Sequence, residues 1–371
     1  MNEQVIEKAK RSDTKVCAFG AGKIGIGIGL DLAEFLGINI DFYCDNDEAK
    51  WNKIVIDGKK CVSPSELFQI SDDLVCMILV SEEKIPEIYN QLISLGITDI
   101  IPFTYVHFTR YDIRNKMKEY FPFDIYKHKS DCAGKEAIAL KVQKAKTKIA
   151  VYTCVTGGYD EIHKPKYLSP NCDYYFISEQ KPKELAIWKY LDIGKYLPDM
   201  PLDERRMGRY CKLHPHKIFP QYDYSIYLDG NVLILDNIGH FIQYIGKSGI
   251  AALQHPWVKN IYEEGAANIY YEKDTKELII EQVTGYWKEG MPYNLRHHET
   301  SIMVRQHMNK TCIQIMEAWW HEISSKSFRD QLSFEYVLWK NNIRFEDVGV
   351  FLEGKDWRTH KAFQHYVHTG K

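Results

Sequence analysis

Residues 214–234 read HPHKIFPQYDYSIYLDGNVLI, and the second half of that stretch decides the fold. Within it YDYSIYLDGNVLI is strand-like, an apolar and aromatic run that leads into Asp229, Gly230 and Asn231. Such a run predicts a sheet strand of an α/β domain, with polar side chains gathered where the strand ends. An Asp-x-Asn pair there sets two oxygen-bearing side chains on one side of a turn. Those are the donors that hard cations such as Mg²⁺ or Mn²⁺ take, together with diphosphate oxygens. The same three residues also make an ordinary turn, because Asn and Gly tolerate positive φ. Asp229 and Asn231 are therefore candidate metal ligands, with Asp229 also a donor ligand, and the neighbouring sequence must decide.

Just upstream, RRMGRYCK at 205–212 places Arg205, Arg209 and Lys212 at i, i+4 and i+7. On a helix this is one basic stripe able to meet phosphates, although a solvated helix face has the same pattern. Downstream, Arg305 and His307 follow the apolar run SIMV with strand alternation and share one face, with Arg305 a candidate phosphate contact. His307 is a candidate third metal ligand, and its plain alternative is a structural hydrogen-bond partner. Glu299 and Asp330 are the acids expected to take an acceptor hydroxyl's proton; Asp330 could equally cap the helix that follows it. His255, ahead of Pro256 and Trp257, is the candidate acceptor contact. Trp257, Trp287 and Trp339 are expected in a core or interface unless they line a cleft, and Trp319 and Trp320 in packing.

Working outward, KIAVYTCVTGG (148–158) and CDYYFISE (172–179) supply further strands and TCIQIMEAWWHEI (311–323) a helix, so an α/β domain is expected over 148–350 and a tail over 351–371. Toward the N-terminus, KVCAFG (15–20) runs into a glycine turn and a helical stretch, followed by INIDFYCDND (38–47), DLVCMILV (73–80) and DIIPF (99–103). That alternation predicts half of a doubly wound sheet over 1–104. Gly20, Gly22 and Gly25 spell GxGxxG, and Asp45 ends the next strand. The chemical reading is a nucleotide site, NAD included: backbone amides approach a pyrophosphate while the carboxylate takes a ribose. The plain reading is a tight turn kept for packing in a docking domain. Between the two domains, 105–147 is basic and polar and is expected to be a helical connector.

Composition bounds the rest. The chain is 45% hydrophobic and 26% charged with formal net charge -2, which fits globular folding and gives no reason to expect nucleic acid as a partner. Nine scattered cysteines without a CxxC pair argue against a disulfide framework and a zinc site. The N-terminus lacks the apolar core of a secretory signal and no apolar run reaches spanning length, so the expectation is a cytoplasmic protein, with peripheral contact at the inner membrane face allowed.

The larger half resembles the plant and bacterial glycosyltransferase-like family associated with turgor regulation and seed mucilage polysaccharides. The stretches that carry the likeness are VYTCVTGGYDEI (151–162), RRMGRYCKLHPHKIFPQYDYSIYLDGNV (205–232), QHPWVKNIYEEGAA (254–267), GYWKEGMPYNLRHHETSIMVRQH (285–307) and RDQLSFEYVLW (329–339). The resemblance implies a GT-A fold, a nucleotide-sugar donor, UDP-linked, and a glycan or lipid-linked acceptor, as in bacterial surface polysaccharide synthesis. It puts Asp229 and Asn231 on the metal-and-diphosphate turn, Arg209 and Lys212 on the basic helix, and Thr153 and Tyr159 beside the nucleoside. The first domain resembles the short Rossmann-like domains fused to polysaccharide-building enzymes, through GAGKIG, FYCDND and GKKCVSPSEL. Two other function classes stay open. An epimerase or oxidoreductase would need a Tyr-x-x-x-Lys pair, absent from 26–104, and a non-catalytic glycan-binding protein would bind sugars without releasing UDP.

Overall fold

The computed structural model describes residues 3–70, 73–103, 105–130, 147–352 and 356–366. The chain divides into two compact units, 1–116 and 117–371. Of the connector expected over 105–147, Tyr105–Tyr120 is helical, while 131–146 lie outside the described residues.

The first unit is built on β1 (Lys15–Phe19), β2 (Phe42–Cys44), β3 (Ile54–Ile56), β4 (Lys59–Val62), β5 (Leu74–Ile78) and β6 (Ile100–Pro102), in the spatial order β3-β4-β2-β1-β5-β6. All pairs are parallel except the β3–β4 hairpin, so the parallel strands, counted along the chain, run 3-2-1-4-5, a doubly wound order. β5 is buried along its whole length because both faces of the sheet are covered. The sequence reading passed over the short β3–β4 hairpin, although Ile54–Ile56 is β-branched and Asp57-Gly58, at φ of 48° and 74°, is a hairpin turn; each strand is only three or four residues long.

The second unit holds β7 (Ile149–Cys154), β8 (Cys172–Ser178), β9 (Lys189–Asp192), β10 (Tyr224–Leu228), β11 (Val232–Ile234), β12 (Ile250–Gln254), β13 (His298–Arg305), β14 (Gly349–Phe351) and β15 (Phe363–His365). Seven form the main sheet, ordered β14-β12-β13-β10-β7-β8-β9. Only β13 runs against its neighbours. One edge of the sheet therefore collects the C-terminal ends of the six parallel strands and the beginning of β13, and ligand sites form at such an edge. One face of the sheet packs around Val151, Ile226, Ile302 and Trp357.

The segment from 351 is not a tail over its described part. β15 pairs antiparallel with β11, and Trp357 is buried. Its signal in sequence is one short β-run, too brief to be told from loop. Among the described residues no helix is long and apolar enough to cross a membrane, and the eight described cysteines are free thiols.

Candidate functional site

The Glu204–Leu213 helix starts at Asp203, whose carboxylate accepts from the Arg206 amide at 2.8 Å. Its register brings Arg209 and Lys212, two of the three residues of the expected basic stripe, to one carboxylate. Lys212 is buried, with its Nζ 2.5 Å from Asp330 Oδ2, 3.3 Å from Thr300 Oγ1 and 3.7 Å from Asp229 Oδ1. Arg209 Nε stands 3.6 Å from Asp330 Oδ1, and the Tyr227 ring lies under Lys212 at 4.9 Å. Two cations and two carboxylates, 121 residues apart at the extremes (209 to 330), thus meet at the end of β10. Arg205 turns to the Phe328 ring and Arg206 to the carbonyls of Ile323 and Lys326.

Burial alone would raise the Asp330 carboxyl, but Arg209, Lys212 and Arg329 outweigh it and hold it well below the usual range. Asp330 is accordingly ionised, with both oxygens facing cations. It makes no capping bond to its helix, so the cap expectation fails. A carboxylate held this way orders Lys212 and Arg209 and is poorly placed to accept a proton. Glu299 fails as a free base for a related reason. Its Oε1 accepts from Trp357 Nε1 at 2.8 Å, Arg358 Nη2 at 2.6 Å and Ser301 Oγ at 3.0 Å, while Oε2 faces Arg358 Nη1 at 3.3 Å.

Arg305 and His307 lie at the other end of the sheet. Arg305 pairs with Ser225 at the beginning of β10, four residues from Asp229, or about 13 Å of strand. Its guanidinium donates to the Lys212 carbonyl and to the Tyr152 hydroxyl, both at 2.6 Å, and Tyr152 donates to the same carbonyl at 2.8 Å. Arg305 is thus a clamp on the helix C-terminus, where a cation is favoured by the helix dipole. His307 Nε2 meets the Phe219 carbonyl at 2.9 Å, and burial pushes its ring down to about 4, so it stays neutral and structural. Neither residue reaches the Asp229 turn.

The turn gathers partners that the sequence did not reveal. A methyl group on Gly230 would sit 2.7 Å from Val155 Cγ2 and 2.9 Å from Asp160 Oδ2, so glycine is needed there and the Asp160 carboxylate lies against the turn. Asn231 donates its amide to His365 Nε2 at 3.1 Å, and Tyr366 N–H bonds the Asn231 carbonyl. Asp160, Asp229 and Asn231 carry oxygen donors suited to a hard cation at this turn, and the His365 imidazole is hydrogen-bonded to Asn231 beside them. Among the described residues no three His, Cys, Asp or Glu side chains form a metal cage by themselves.

The glycine loop after β7 is fixed by its surroundings. Gly157 and Gly158 adopt φ of 60° and 64°, the Gly157 amide bonds Glu179 Oε1 at 3.0 Å, and a methyl on Gly157 would strike Glu204. Tyr159 is exposed on this loop, whereas the Thr153 hydroxyl is sealed inside the sheet without a hydrogen-bond partner among the described residues, so Thr153 is not placed to touch a nucleoside. His255 Nδ1 accepts from the Trp257 and Val258 amides at 3.2 and 3.0 Å, and burial pushes it to about 4. It shapes the turn that carries Trp257, which the Arg358 guanidinium covers at 5.2 Å.

In the first unit, Gly20 takes φ of 118° and a methyl on Gly25 would fall 1.7 Å from the Gly20 carbonyl oxygen. Gly22 faces open space. Asp45 Oδ2 accepts from the Ala21 amide and Lys50 Nζ, both at 2.8 Å, and Oδ1 from the Asp47 amide at 2.9 Å. The carboxylate expected for a ribose instead closes the glycine turn.

Residues 108–365 match the TOD1/MUCI70, glycosyltransferase-like domain family. The Arabidopsis thaliana protein named probable hexosyltransferase MUCI70 is 26% identical over 221 residues, 51% of this chain and 37% of that protein, so the chain spans little more than a third of that relative's length. Among solved structures it is similar to the apo WbbM bifunctional glycosyltransferase (10% identity, 57% of this chain and 40% of the other, TM-score 0.35). It is also similar to mouse xyloside xylosyltransferase 1 (12% identity, 55% and 85%, TM-score 0.36).

Proposed function

The chain belongs to the TOD1/MUCI70 glycosyltransferase-like domain family, and from that premise we propose that it is a GT-A glycosyltransferase, moving a sugar from a UDP-linked donor to a glycan or lipid-linked acceptor. In that reaction the bond between the anomeric carbon and the diphosphate breaks, a bond to the acceptor oxygen forms, and the acceptor hydroxyl's proton passes to an oxygen of the departing diphosphate, since Asp330 and Glu299 are committed. The observation that carries the reading is the meeting of Arg209, Lys212, Asp330 and Asp229 at the end of β10. Two cations at the C-terminal edge of a mostly parallel sheet are suited to a departing diphosphate.

The cluster is balanced as it stands, two positive charges against two negative, so a diphosphate brings charge that needs a further cation. Mn²⁺ or Mg²⁺ held by Asp229 and Asn231, with Asp160 and His365 beside them, fits that need and would stabilise charge on the leaving group. His365 replaces His307 in this reading. Arg305 and Asp330 act through others: one clamps the helix end, the other orders its cations. The first unit serves as a docking domain, since Asp45 is committed to its own loop.

Calorimetric titration of the full chain with UDP, GDP, CMP and NAD, each with Mn²⁺ or with EDTA, tests the proposal. UDP binding that depends on Mn²⁺ and disappears in Asp229→Ala is expected, with the transfer rate down about 10²–10³-fold. Binding of NAD alone, or of UDP equally well to wild type and Asp229→Ala, would sink it.

A further inference from the structure

The β13 face that carries Thr300 to Asp330 continues, two residues earlier, to His298. His298 Nδ1 and its backbone amide both meet Glu335 Oε1, at 2.5 and 2.8 Å. Glu335 is 5% exposed, and its second oxygen has no hydrogen-bond partner among the described residues. That carboxylate lines a cavity of about 300 Å³ whose walls include Asn294, Arg296, Trp339, Asn342 and Arg344. The volume lies at the lower end of the ~300–1,000 Å³ that small-ligand sites occupy.

The lining decides the ligand class. Trp339 is half-buried and offers an apolar ring plane. Arg344 is committed to Asp347, at 3.1 Å through Nε and through Nη2, and Arg296 lies over the Phe345 ring at 4.7 Å. The amide of Asn294 is bonded at both ends to the Ser130 backbone, which fixes the far wall. An anion site would need surplus positive charge facing an unpaired oxygen, whereas here the uncommitted group is a carboxylate beside an indole. An acceptor for hydroxyl protons next to an aromatic plane suits a neutral saccharide, which presents hydroxyls at its edge and C–H bonds on its face.

The geometry points to this cavity as a binding site for one unit of a neutral glycan, separate from the nucleotide turn. Glu335 follows Asp330 by five residues on one helix, about 7.5 Å along its axis. A sugar unit held there therefore lies within an oligosaccharide's reach of the Lys212–Asp330 cluster. The inference rests on the transferase reading only for calling the ligand an acceptor; the site itself stands on Glu335 and Trp339.

The test is calorimetric titration of the full chain with neutral linear oligosaccharides of the xylo, gluco, galacto and manno series, with UDP and Mn²⁺ titrated in parallel. At least one series should bind wild type. Trp339→Ala and Glu335→Gln should each weaken that binding about tenfold while leaving UDP affinity and thermal midpoint close to wild type. Asp229→Ala should remove UDP and spare the oligosaccharide. Absence of binding by every series in a protein that binds UDP overturns the saccharide site and leaves the transferase standing, as does binding that Trp339→Ala does not change. Trp339-dependent saccharide binding without any nucleotide binding supports the site and removes the transferase reading.

Discussion

Asp45 and Asp229 invite comparison, because each follows a strand of a largely parallel sheet and stands beside a glycine-bearing turn. Their side chains nevertheless meet opposite environments. Asp45 is 15% exposed and its oxygens are filled by the Ala21 amide of the glycine loop and by the Asp47 amide and Lys50 of its own turn. Asp229 is 26% exposed and looks at Lys212 from a different helix. The lesson is that a carboxylate satisfied by its own neighbourhood stabilises a turn, whereas one facing cations brought from elsewhere keeps capacity for a ligand. Charge supplied across the fold, rather than the motif, separates the two turns.

The comparison breaks most visibly at Lys212. Replacing it with Met leaves Asp330 buried with the Thr300 hydroxyl at 3.1 Å, Arg209 at 3.6 Å and the Arg329 charge as its remaining partners, so the larger unit should lose about 3–5 kcal/mol in chemical denaturation. A loss below about 1 kcal/mol would mean the cluster is not the charge-locked site described. The corresponding substitution Lys50→Met should cost well under half as much, because Asp45 retains two amide donors.

Acid should separate the units next. Burial depresses His214, His255 and His307 to about 4, and His163 and His216 shift the same way. Between about pH 6.5 and 4 the unfolded chain binds protons that these rings refuse in the fold, so stability falls as pH drops through that window. His297 works in the opposite sense: Glu264 raises it against its own burial, which offsets part of the loss. A net loss on the order of 4–6 kcal/mol by pH 5 is expected for the larger unit. The first unit has no histidine before His107 and should hardly respond. Scanning calorimetry at pH 7 and pH 5 reads this directly, and equal downward shifts of both transitions would refute it.

Glycine substitutions sharpen the same contrast at smaller scale. Gly25→Ala forces a methyl toward the Gly20 carbonyl oxygen and should cost about 1–3 kcal/mol in the first unit, with UDP titration unchanged. Gly22→Ala faces open space at φ of -104° and should stay within about 0.5 kcal/mol. If Gly22→Val removes one equivalent of bound nucleotide, the glycine turn is a working site and the contrast with Asp229 collapses.

Much of the architecture was legible. The α/β alternation, the strand ending at Asp229 and the basic helical stripe all depend on local pattern, and hydrophobic periodicity reports on nearest neighbours in the chain. The failures share a cause. Glu299, Arg305 and His307 carry residue types that suit catalysis, but Arg358, the Lys212 carbonyl and the Phe219 carbonyl occupy them. His365 lies 134 residues from Asn231 and had no local signal at all.

By itself the sequence determined the longer elements, the mixed α/β class and the acid at the end of a strand, because each follows from the chemistry of adjacent residues. Tertiary structure alone decided which acids are committed and which cations face one another. The antiparallel course of β13 placed Glu299 and Thr300 at the same edge as Asp229 and carried Arg305 to the opposite one. A strand's direction is set by pairing across the sheet, and no residue within the strand encodes which end its neighbours present.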